Sequence, residues 1–361
     1  MGGLTTGPPW RVEVEVDVSE QLEATGPIVV RGWATGPAAA PARQLVVFCV
    51  AGGGCSTGYF DLQVEGLDGY SMADAFVRRG AVVVAVDHPG IGASDEVADL
   101  FALTPSLVAA CQARVVRSVV DAFSAGRLGP LPPITRPFVA GLGHSMGGLL
   151  VTVQQAQHRS FDALVCAGHG GMGLPEVLTG DELAVAGPDL RGLEGRISAL
   201  ARIRFAADTT VPRKQPARGC FFADDVPAAV QRAFADQAVP LLPSCGLTSM
   251  IPDSAWAERA SIDVPTFVAF GSDDLVTDYA TSLAQYRSVT DAALYVLAGS
   301  GHCHNQASGR RLLWHRMLDW LESVSSSADC PSSSGATTSP VPAAGLERHG
   351  HGRADLTHDL K

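Results

Sequence analysis

Lysine is almost absent from this chain, since Lys214 and Lys361 are the only two in 361 residues. Chemistry that depends on lysine, such as Schiff-base formation or phosphate binding by a P-loop, therefore has almost no candidate residue. The glycine-rich stretch at residues 51–58 contains no lysine, so the sequence excludes a P-loop there.

Positive charge is scarce as a whole. The chain has 37 acidic and 26 basic residues, which gives a formal net charge of −11. This excess disfavours partners held mainly through phosphate groups, so we expect no nucleic-acid partner. Long apolar runs are also missing, and no segment approaches the roughly 20 residues of a membrane-spanning helix. We therefore expect no membrane span and a small-molecule substrate as the partner, while the oligomeric state stays open.

The cysteines follow no pairing pattern. Eight of them are spread along the chain without CxxC spacing or the density of a disulfide scaffold, which predicts reduced thiols. Residues 1–10 lack the basic and apolar run of a secretory signal, which favours a cytoplasmic location.

Short apolar runs rich in β-branched residues predict a sheet that is covered on both faces. They lie at residues 45–50, 81–86, 138–142, 163–167 and 266–270. Segments with helical period separate several of them, as at residues 71–79 and 106–123. This alternation predicts an α/β fold with a doubly wound, mostly parallel sheet. Before it, residues 12–18 alternate valine with acidic residues and predict a strand that pairs with residues 28–33.

The regular alternation stops at residue 172 and resumes near residue 264. An insertion of roughly 90 residues is too long for a simple connecting loop, so we expect a helical cap or lid. A last helix is predicted at residues 305–324, and the Ser- and Pro-rich end predicts a disordered tail. The expected organisation is a first core part at 1–171, the cap at 172–260, a second core part at 261–324 and the tail at 325–361.

The motif Gly143-His144-Ser145-Met146-Gly147 lies between a predicted strand and a helix-compatible run. A serine on such a sharp turn presents its hydroxyl to substrate, and the glycines let strand and helix approach. The Met146 amide opens the helix and would face the oxygen of an attacked carbonyl. The motif in this context predicts a nucleophile at Ser145.

A carboxylate and an imidazole follow in later loops. One strand runs into Gly271-Ser272-Asp273-Asp274, and the next runs into Gly299-Ser300-Gly301-His302. The chain order Ser145, Asp274, His302 is the order Ser, Asp, His of a known class of catalytic triads.

Neighbouring residues compete for two of these roles. Asp273 and Asp278 are alternatives to Asp274 as the acid, and His304 is an alternative to His302 as the base. The run His302-Cys303-His304 also suggests a metal site, but the sequence offers no second pair of ligands to complete one.

Taken together, residues 12–324 resemble the α/β-hydrolase superfamily. Four segments carry the resemblance, namely Ala51-Gly52-Gly53-Gly54, the loop at residues 87–94, the serine turn, and the paired Asp and His loops. The resemblance implies an α/β-hydrolase fold with an inserted cap. It further implies Ser145 as nucleophile, His302 as base and then acid, Asp274 as the acid that orients it, and the amides of Gly53 and Met146 as oxyanion hole. Many members begin the oxyanion loop with His-Gly, where this chain has Ala51-Gly52.

The function implied is a serine hydrolase that cleaves a carboxylic ester or related acyl bond through an acyl-enzyme, with no metal or other cofactor. Thioesterase, lactonase, acyltransferase and carbon–carbon bond hydrolase activities use the same machinery and stay open. Apolar residues in the cap favour a small to medium, largely apolar substrate.

Two other classes of function also stay open. Gly141-Leu142-Gly143 with Gly147 and Asp162 suggests a dinucleotide-binding oxidoreductase, which leaves the Asp and His loops unexplained. The other class is a non-catalytic binding module, and the complete Ser, Asp and His set argues against it.

Overall fold

An eight-stranded sheet forms the centre of the molecule. A computed structural model describes residues 8–39, 44–187, 189–205 and 220–327. The strands are β1 (Trp10–Asp17), β2 (Val29–Gly36), β3 (Leu45–Val50), β4 (Val82–Val86), β5 (Phe138–His144), β6 (Ala163–Ala167), β7 (Thr266–Gly271) and β8 (Ala292–Leu297). Their order is β1-β2-β4-β3-β5-β6-β7-β8; β2 pairs antiparallel with β1 and β4, and the strands from β4 to β8 are parallel. The predicted α/β fold with a mostly parallel sheet is confirmed.

Burial along the strands follows their composition. Every residue of β3, β4, β5, β6 and β7 is buried, because helices cover both faces of the sheet. The edge strand β1 instead buries Val14 and Val16 and exposes Glu13 and Glu15 to solvent. Its period of two is therefore the signature of a strand with one solvated face.

Helices cover the two faces of the sheet in pairs. The helices outside the β6–β7 connection are α1 (Met72–Arg78), α2 (Pro105–Ser124), α3 (Met146–His158), α9 (Tyr279–Ala284) and α10 (Arg310–Ser327). Apolar side chains of α2 and α3 pack on one face, and those of α1 and α10 pack on the other. Two helix starts follow from local sequence: the Ser71 hydroxyl accepts from the Asp74 amide, and Thr104 caps α2, which has Pro105 in its first turn.

The described part of the connection between β6 and β7 contains five helices. They are α4 (Gly180–Leu183), α5 (Leu190–Phe205), α6 (Ala228–Ala235), α7 (Pro243–Met250) and α8 (Trp256–Ser261). Leu193, Ile197 and Phe205 of α5 share an apolar cluster with Leu247 of α7, whereas α8 packs against α3. The boundaries 172 and 260 of the cap stay a prediction.

The last helix differs from its prediction at both ends. It begins at Arg310 rather than residue 305, and residues 304–306 form a separate 3₁₀ turn. The backbone is extended at Ala307 (ψ 152°), which separates this turn from the helix. The Asn305 side chain holds the turn in place, since it donates to the Tyr59 carbonyl (3.2 Å) and accepts from the Trp314 indole (2.8 Å). Residues 325–327, predicted to belong to the disordered tail, extend the helix, and 328–361 lie outside the described residues. Over the described ranges, no helix combines the length and apolar character that crossing a membrane requires.

Candidate active site

Ser145 occupies the turn between β5 and α3 in a strained backbone conformation. Its φ of 55° and ψ of −123° lie where residues with a side chain are rare. The Ser145 amide donates to the carbonyl of Ala167 at the end of β6 (2.8 Å), which helps to hold this geometry. Within the described ranges the hydroxyl makes no hydrogen bond, and the residue lines a cavity. The serine is therefore presented to whatever occupies that cavity.

The glycines on either side of Ser145 are required by close backbone contacts. A methyl group added to Gly143 would lie 2.2 Å from the Gly147 carbonyl oxygen, and one added to Gly147 would lie 2.0 Å from that of Val50. Real carbon–oxygen contacts are never this short, so strand and helix approach only because both positions lack a side chain. The glycines of the motif are therefore required by the close packing of backbone atoms.

We expect Gly147→Ala to destabilise the fold, because backbone would have to move to admit the methyl group. Overpacking of this kind costs about 3 kcal/mol, and thermal denaturation should record it as a lower Tm. Gly195→Ala is the matched control: Gly195 lies in α5, and a methyl group there would contact nothing within 4 Å. The control should gain about 1 kcal/mol from helix propensity. Equal Tm values for the two variants would contradict the packing argument.

Asp274 and His302 meet at the ends of two adjacent parallel strands. Asp274 follows β7 and His302 follows β8, and His302 Nδ1 lies 2.6 Å from Asp274 Oδ1 with both side chains buried. His302 lines the same cavity as Ser145. Because Nδ1 is directed to a carboxylate that only accepts, Nδ1 carries a proton, and the tautomer that fits this contact has its lone pair on Nε2.

The competing acidic residues are used elsewhere. The exposed Asp273 carboxylate accepts from the hydroxyl of its neighbour Ser272 (3.0 Å). Asp278 caps α9 and accepts from the Thr281 amide (3.0 Å). The structure therefore brings Asp274, rather than Asp273 or Asp278, to His302.

The Asp274 carboxylate is ionised despite its burial. Burial by itself raises its pKa, but the electrostatic interactions and hydrogen bonds with His302 and His304 more than offset that effect. The net result is a pKa well below the ordinary value of aspartate, so the group carries its negative charge at neutral pH.

His304 contacts Asp274 from the other side. Its Nε2 lies 2.8 Å from Asp274 Oδ2, and the ring is buried away from the cavity that His302 lines. The sequence presents His304 only as an alternative to His302. The sequence motifs do not predict that both histidines contact one carboxylate. The spacing of two residues between His302 and His304 is the feature of the sequence that could have indicated it.

His144 supports the loop that carries His302. Its Nε2 donates to the His302 carbonyl (2.8 Å), and its ring stacks on Tyr59 with centroids 4.2 Å apart. Burial lowers the pKa of His144 well below its ordinary value, so the ring is neutral. The histidine of the serine motif thus ties β5 to the His302 loop.

The loop after β3 lies against the serine turn. A methyl group on Gly52 would lie 3.0 Å from Ser145 Cβ, and one on Gly53 would lie 3.9 Å from the Met146 sulfur. The Met146 amide, first in α3, has no acceptor within its helix, and the Gly53 amide has no backbone acceptor in the described part of the chain. Within the described ranges, neither amide takes part in a backbone hydrogen bond, and both residues line the cavity with Ser145.

The connection between β6 and β7 makes backbone contacts with the loops of the site, and no sequence motif predicts them. The amides of His302 and Cys303 donate to the carbonyls of Cys220 (2.7 Å) and Phe221 (2.8 Å). The Val239 amide donates to the Gly54 carbonyl (3.1 Å). Both loops of the site are therefore fastened by residues from this connection.

The cavity has a volume of about 210 Å³ and a mainly apolar wall. Among the described residues, none that lines it is lysine, arginine, aspartate or glutamate. Its apolar side chains come from Met146, Leu174, Val177, Phe221, Phe234, Leu241, Met250, Leu275 and Val276. Arg202 and Arg204 of α5 do not line it and pair with Asp99 and Glu182.

Two thiols and one further histidine also line the cavity. Burial raises the pKa of Cys55 to about 12 and that of Cys303 well above its ordinary value, so neither is ionised at neutral pH. Burial lowers the pKa of His169 to about 3, and this ring is neutral. Ser145 and His302 line the same cavity as these un-ionised groups.

The dinucleotide-binding and metal-site hypotheses can also be compared with the structure. Asp162, the acidic residue of the dinucleotide pattern, accepts from the Val139 amide (2.9 Å), and a methyl group on Gly141 would contact the ring of Phe161 at 2.7 Å. Across the described ranges, no cluster of three or more His, Cys, Asp or Glu could hold a metal ion.

Comparisons with known proteins agree with this architecture. A model of the Alpha/beta hydrolase family matches residues 46–313. No curated protein matches. Among solved structures, the chain is similar to a carboxyl esterase from Bacillus coagulans (18% identity, TM-score 0.59, 87% of this chain and 98% of that one). It is also similar to a bromoperoxidase from Bacillus anthracis (14%, 0.55, 86% and 100%) and an epoxide hydrolase from Vigna radiata (15%, 0.53, 87% and 98%). The family match spans more than half of the chain, and the protein therefore belongs to the alpha/beta hydrolase family.

Proposed function

We propose that the protein is a serine hydrolase that cleaves carboxylic esters, with Ser145, His302 and Asp274 as its catalytic triad. The observation that carries the proposal is the contact of 2.6 Å between His302 Nδ1 and Asp274 Oδ1, at a cavity lined by both His302 and Ser145. This contact leaves a lone pair on His302 Nε2 for the Ser145 proton.

Acyl transfer then proceeds in two steps. The Ser145 oxygen attacks the ester carbonyl while its proton passes to His302 Nε2, and Asp274 stabilises the imidazolium. The negative charge on the carbonyl oxygen is accepted by the amides of Gly53 and Met146, each worth roughly 10²- to 10³-fold in rate. The imidazolium returns its proton to the leaving alcohol, and water attacks the acyl-enzyme by the same route.

The cavity wall supports a small to medium, uncharged and largely apolar ester. A charged acyl group would lose its hydration and meet no counter-charge among the described lining residues. An apolar group would replace water against leucine, methionine and phenylalanine side chains, which is favourable.

A panel of p-nitrophenyl esters with increasing acyl length tests the proposal, run beside acyl-CoA thioesters and lactones. We expect turnover of the esters, highest for short to medium chains, and labelling of the Ser145 peptide by a fluorophosphonate. Inert esters with Ser145 still labelled would favour acyl transfer or carbon–carbon cleavage. An unlabelled Ser145 would contradict a nucleophilic serine.

Leu241 limits the size of the acyl group that the cavity admits. A methyl group on Gly53 would lie 2.5 Å from Leu241 Cδ1, and one on Gly246 of α7 would lie 2.7 Å from it, so the side chain fills the space between these glycines. We expect Leu241→Ala to raise kcat/KM for octanoate relative to acetate by about tenfold, the value of one or two methylene groups in an apolar pocket. Leu312→Ala, at an exposed position of α10, should leave the ratio unchanged. A ratio that is the same in both variants would place the acyl group elsewhere.

A further inference from the structure

The carboxylate of Asp274 has every one of its acceptor positions filled. Oδ1 accepts from His302 Nδ1 (2.6 Å) and the Leu275 amide (2.7 Å), while Oδ2 accepts from His304 Nε2 (2.8 Å) and the Gly271 amide (3.2 Å). A carboxylate offers about four lone-pair sites. No rotation about its terminal bond is therefore possible without breaking several hydrogen bonds.

His304 donates to Asp274 through Nε2. Its Nε2 must carry a proton, because the carboxylate only accepts. Its Nδ1 is buried and has no partner among the described residues, and a proton there would leave a buried N–H without an acceptor. The ring lies edge-on to His144 with centroids 5.6 Å apart, and Gly168 admits it, since a methyl group there would lie 3.1 Å from His304 Cε1.

We propose that His304 is a positioning residue for the hydrolase reaction, which holds Oδ2 of Asp274 so that Oδ1 stays aligned with Nδ1 of His302. The inference rests on the proposed function. The working unit is then Ser145, His302, Asp274 and His304, and the fourth member acts through the carboxylate without contacting substrate.

The same contact moderates the negative charge that His302 meets. A hydrogen bond from His304 draws charge toward Oδ2, which weakens the hold of Oδ1 on a protonated His302. Without this hydrogen bond, Asp274 would hold the imidazolium form of His302 more tightly. On acidification, His302 would then cease to act as a base at a higher pH than in the wild type. The other titratable groups near this unit, among the described residues, are Tyr59, His144, His169, Cys303 and Tyr279. Their pKa shifts leave the first four uncharged at neutral pH, and the pKa of Tyr279 is also raised, so none of them replaces His304.

Two variants of similar shape separate positioning from packing. His304→Gln keeps an N–H donor for Oδ2, and His304→Met fills the space without one. For the Met variant we expect about a tenfold loss in kcat with KM unchanged. The acid limb of its kcat/KM profile should move to higher pH by roughly half a unit or more. The Gln variant should recover most of both effects, while His315→Met, at an exposed site on α10, should behave as wild type.

Several results would overturn the inference. One is a wild-type pH profile and kcat in His304→Met, and another is equal impairment of the Gln and Met variants, which would indicate packing alone. Should the Met variant fail to fold, long-range ¹⁵N–¹H spectra of the wild type decide, because the inference requires His304 protonated on Nε2 at neutral pH. A spectrum with the proton on Nδ1 would exclude it.

Failure of this inference is distinct from failure of the proposed function. A wild-type protein that hydrolyses no ester and is not labelled at Ser145 contradicts the function. An active wild type with an unaffected Met variant contradicts only the role of His304.

Discussion

Replacing Ser145 with alanine is expected to remove ester turnover, with a loss in kcat of about 10⁶-fold. In the proposed mechanism the hydroxyl forms the acyl-enzyme, and the thiols in the same cavity are held un-ionised by burial, so they do not substitute for it. Release of p-nitrophenol measures turnover, and mass spectrometry after fluorophosphonate treatment measures labelling. Both signals should disappear together.

The fold should survive this substitution. Alanine at position 145 keeps the Cβ that already tolerates a φ of 55°, and the amide still donates to Ala167. A Tm close to that of the wild type would show that lost activity reflects lost chemistry. Ser288→Ala, at an exposed position outside the site, is the control and should keep full activity. Wild-type turnover by Ser145→Ala would remove Ser145 from the mechanism.

Asp274→Asn is expected to lower kcat by about 10⁴-fold while leaving the shape of the site nearly intact. An asparagine amide can donate toward His302 Nδ1, which shifts the proton of the ring to Nε2 and removes the lone pair that Ser145 needs. The substitution also removes the negative charge of Asp274, which in the proposed mechanism stabilises the imidazolium form of His302. Steady-state kinetics on a short p-nitrophenyl ester measures the loss.

Asp273→Asn is the matched control for this substitution, since it makes the same chemical change one residue earlier. Its carboxylate is exposed and bonded to Ser272, so we expect a change of no more than about twofold, as for other exposed positions. A large loss in Asp273→Asn with little loss in Asp274→Asn would reverse the assignment of the triad acid.

The fold by itself does not choose among the reactions of the family. The solved structures that resemble this chain include a carboxyl esterase, an epoxide hydrolase and a bromoperoxidase, and all share less than a fifth of their residues with it. Similar folds host different chemistries, so function has to be argued from the site. In this protein, the proposed ester hydrolysis depends on a serine in the strained turn, a histidine paired with a buried carboxylate and an uncharged cavity wall.

Local sequence was sufficient for the sheet and for the serine turn. Runs such as residues 45–50 and 163–167 predict buried strands because hydrophobic, β-branched residues without alternation fit a sheet covered on both faces. The glycines at positions 143 and 147 carry the geometry of the turn, because backbone lies where a side chain would be. Ser71 and Thr104 mark helix starts through hydrogen bonds that span three residues.

Contacts between distant residues decided the rest. Adjacent aspartates at 273 and 274 look alike in sequence, and only the contact with His302, 28 residues further on, distinguishes them. The helix predicted from residue 305 begins at Arg310, and Asn305 lies instead in a 3₁₀ turn held by its bond to Tyr59, which lies 246 residues away.

The sequence by itself determined the strand order along the chain, the strained serine and the loops that carry Asp274 and His302, since these depend on side-chain periodicity and on the absence of Cβ atoms. Tertiary structure alone decided which carboxylate faces which imidazole. It placed His304 on the second oxygen of Asp274 and brought Cys220 and Phe221 to the His302 loop. The physical reason is that hydrogen bonds between distant residues depend on how β7, β8 and the β6–β7 connection pack against one another. No local sequence pattern predicts that packing.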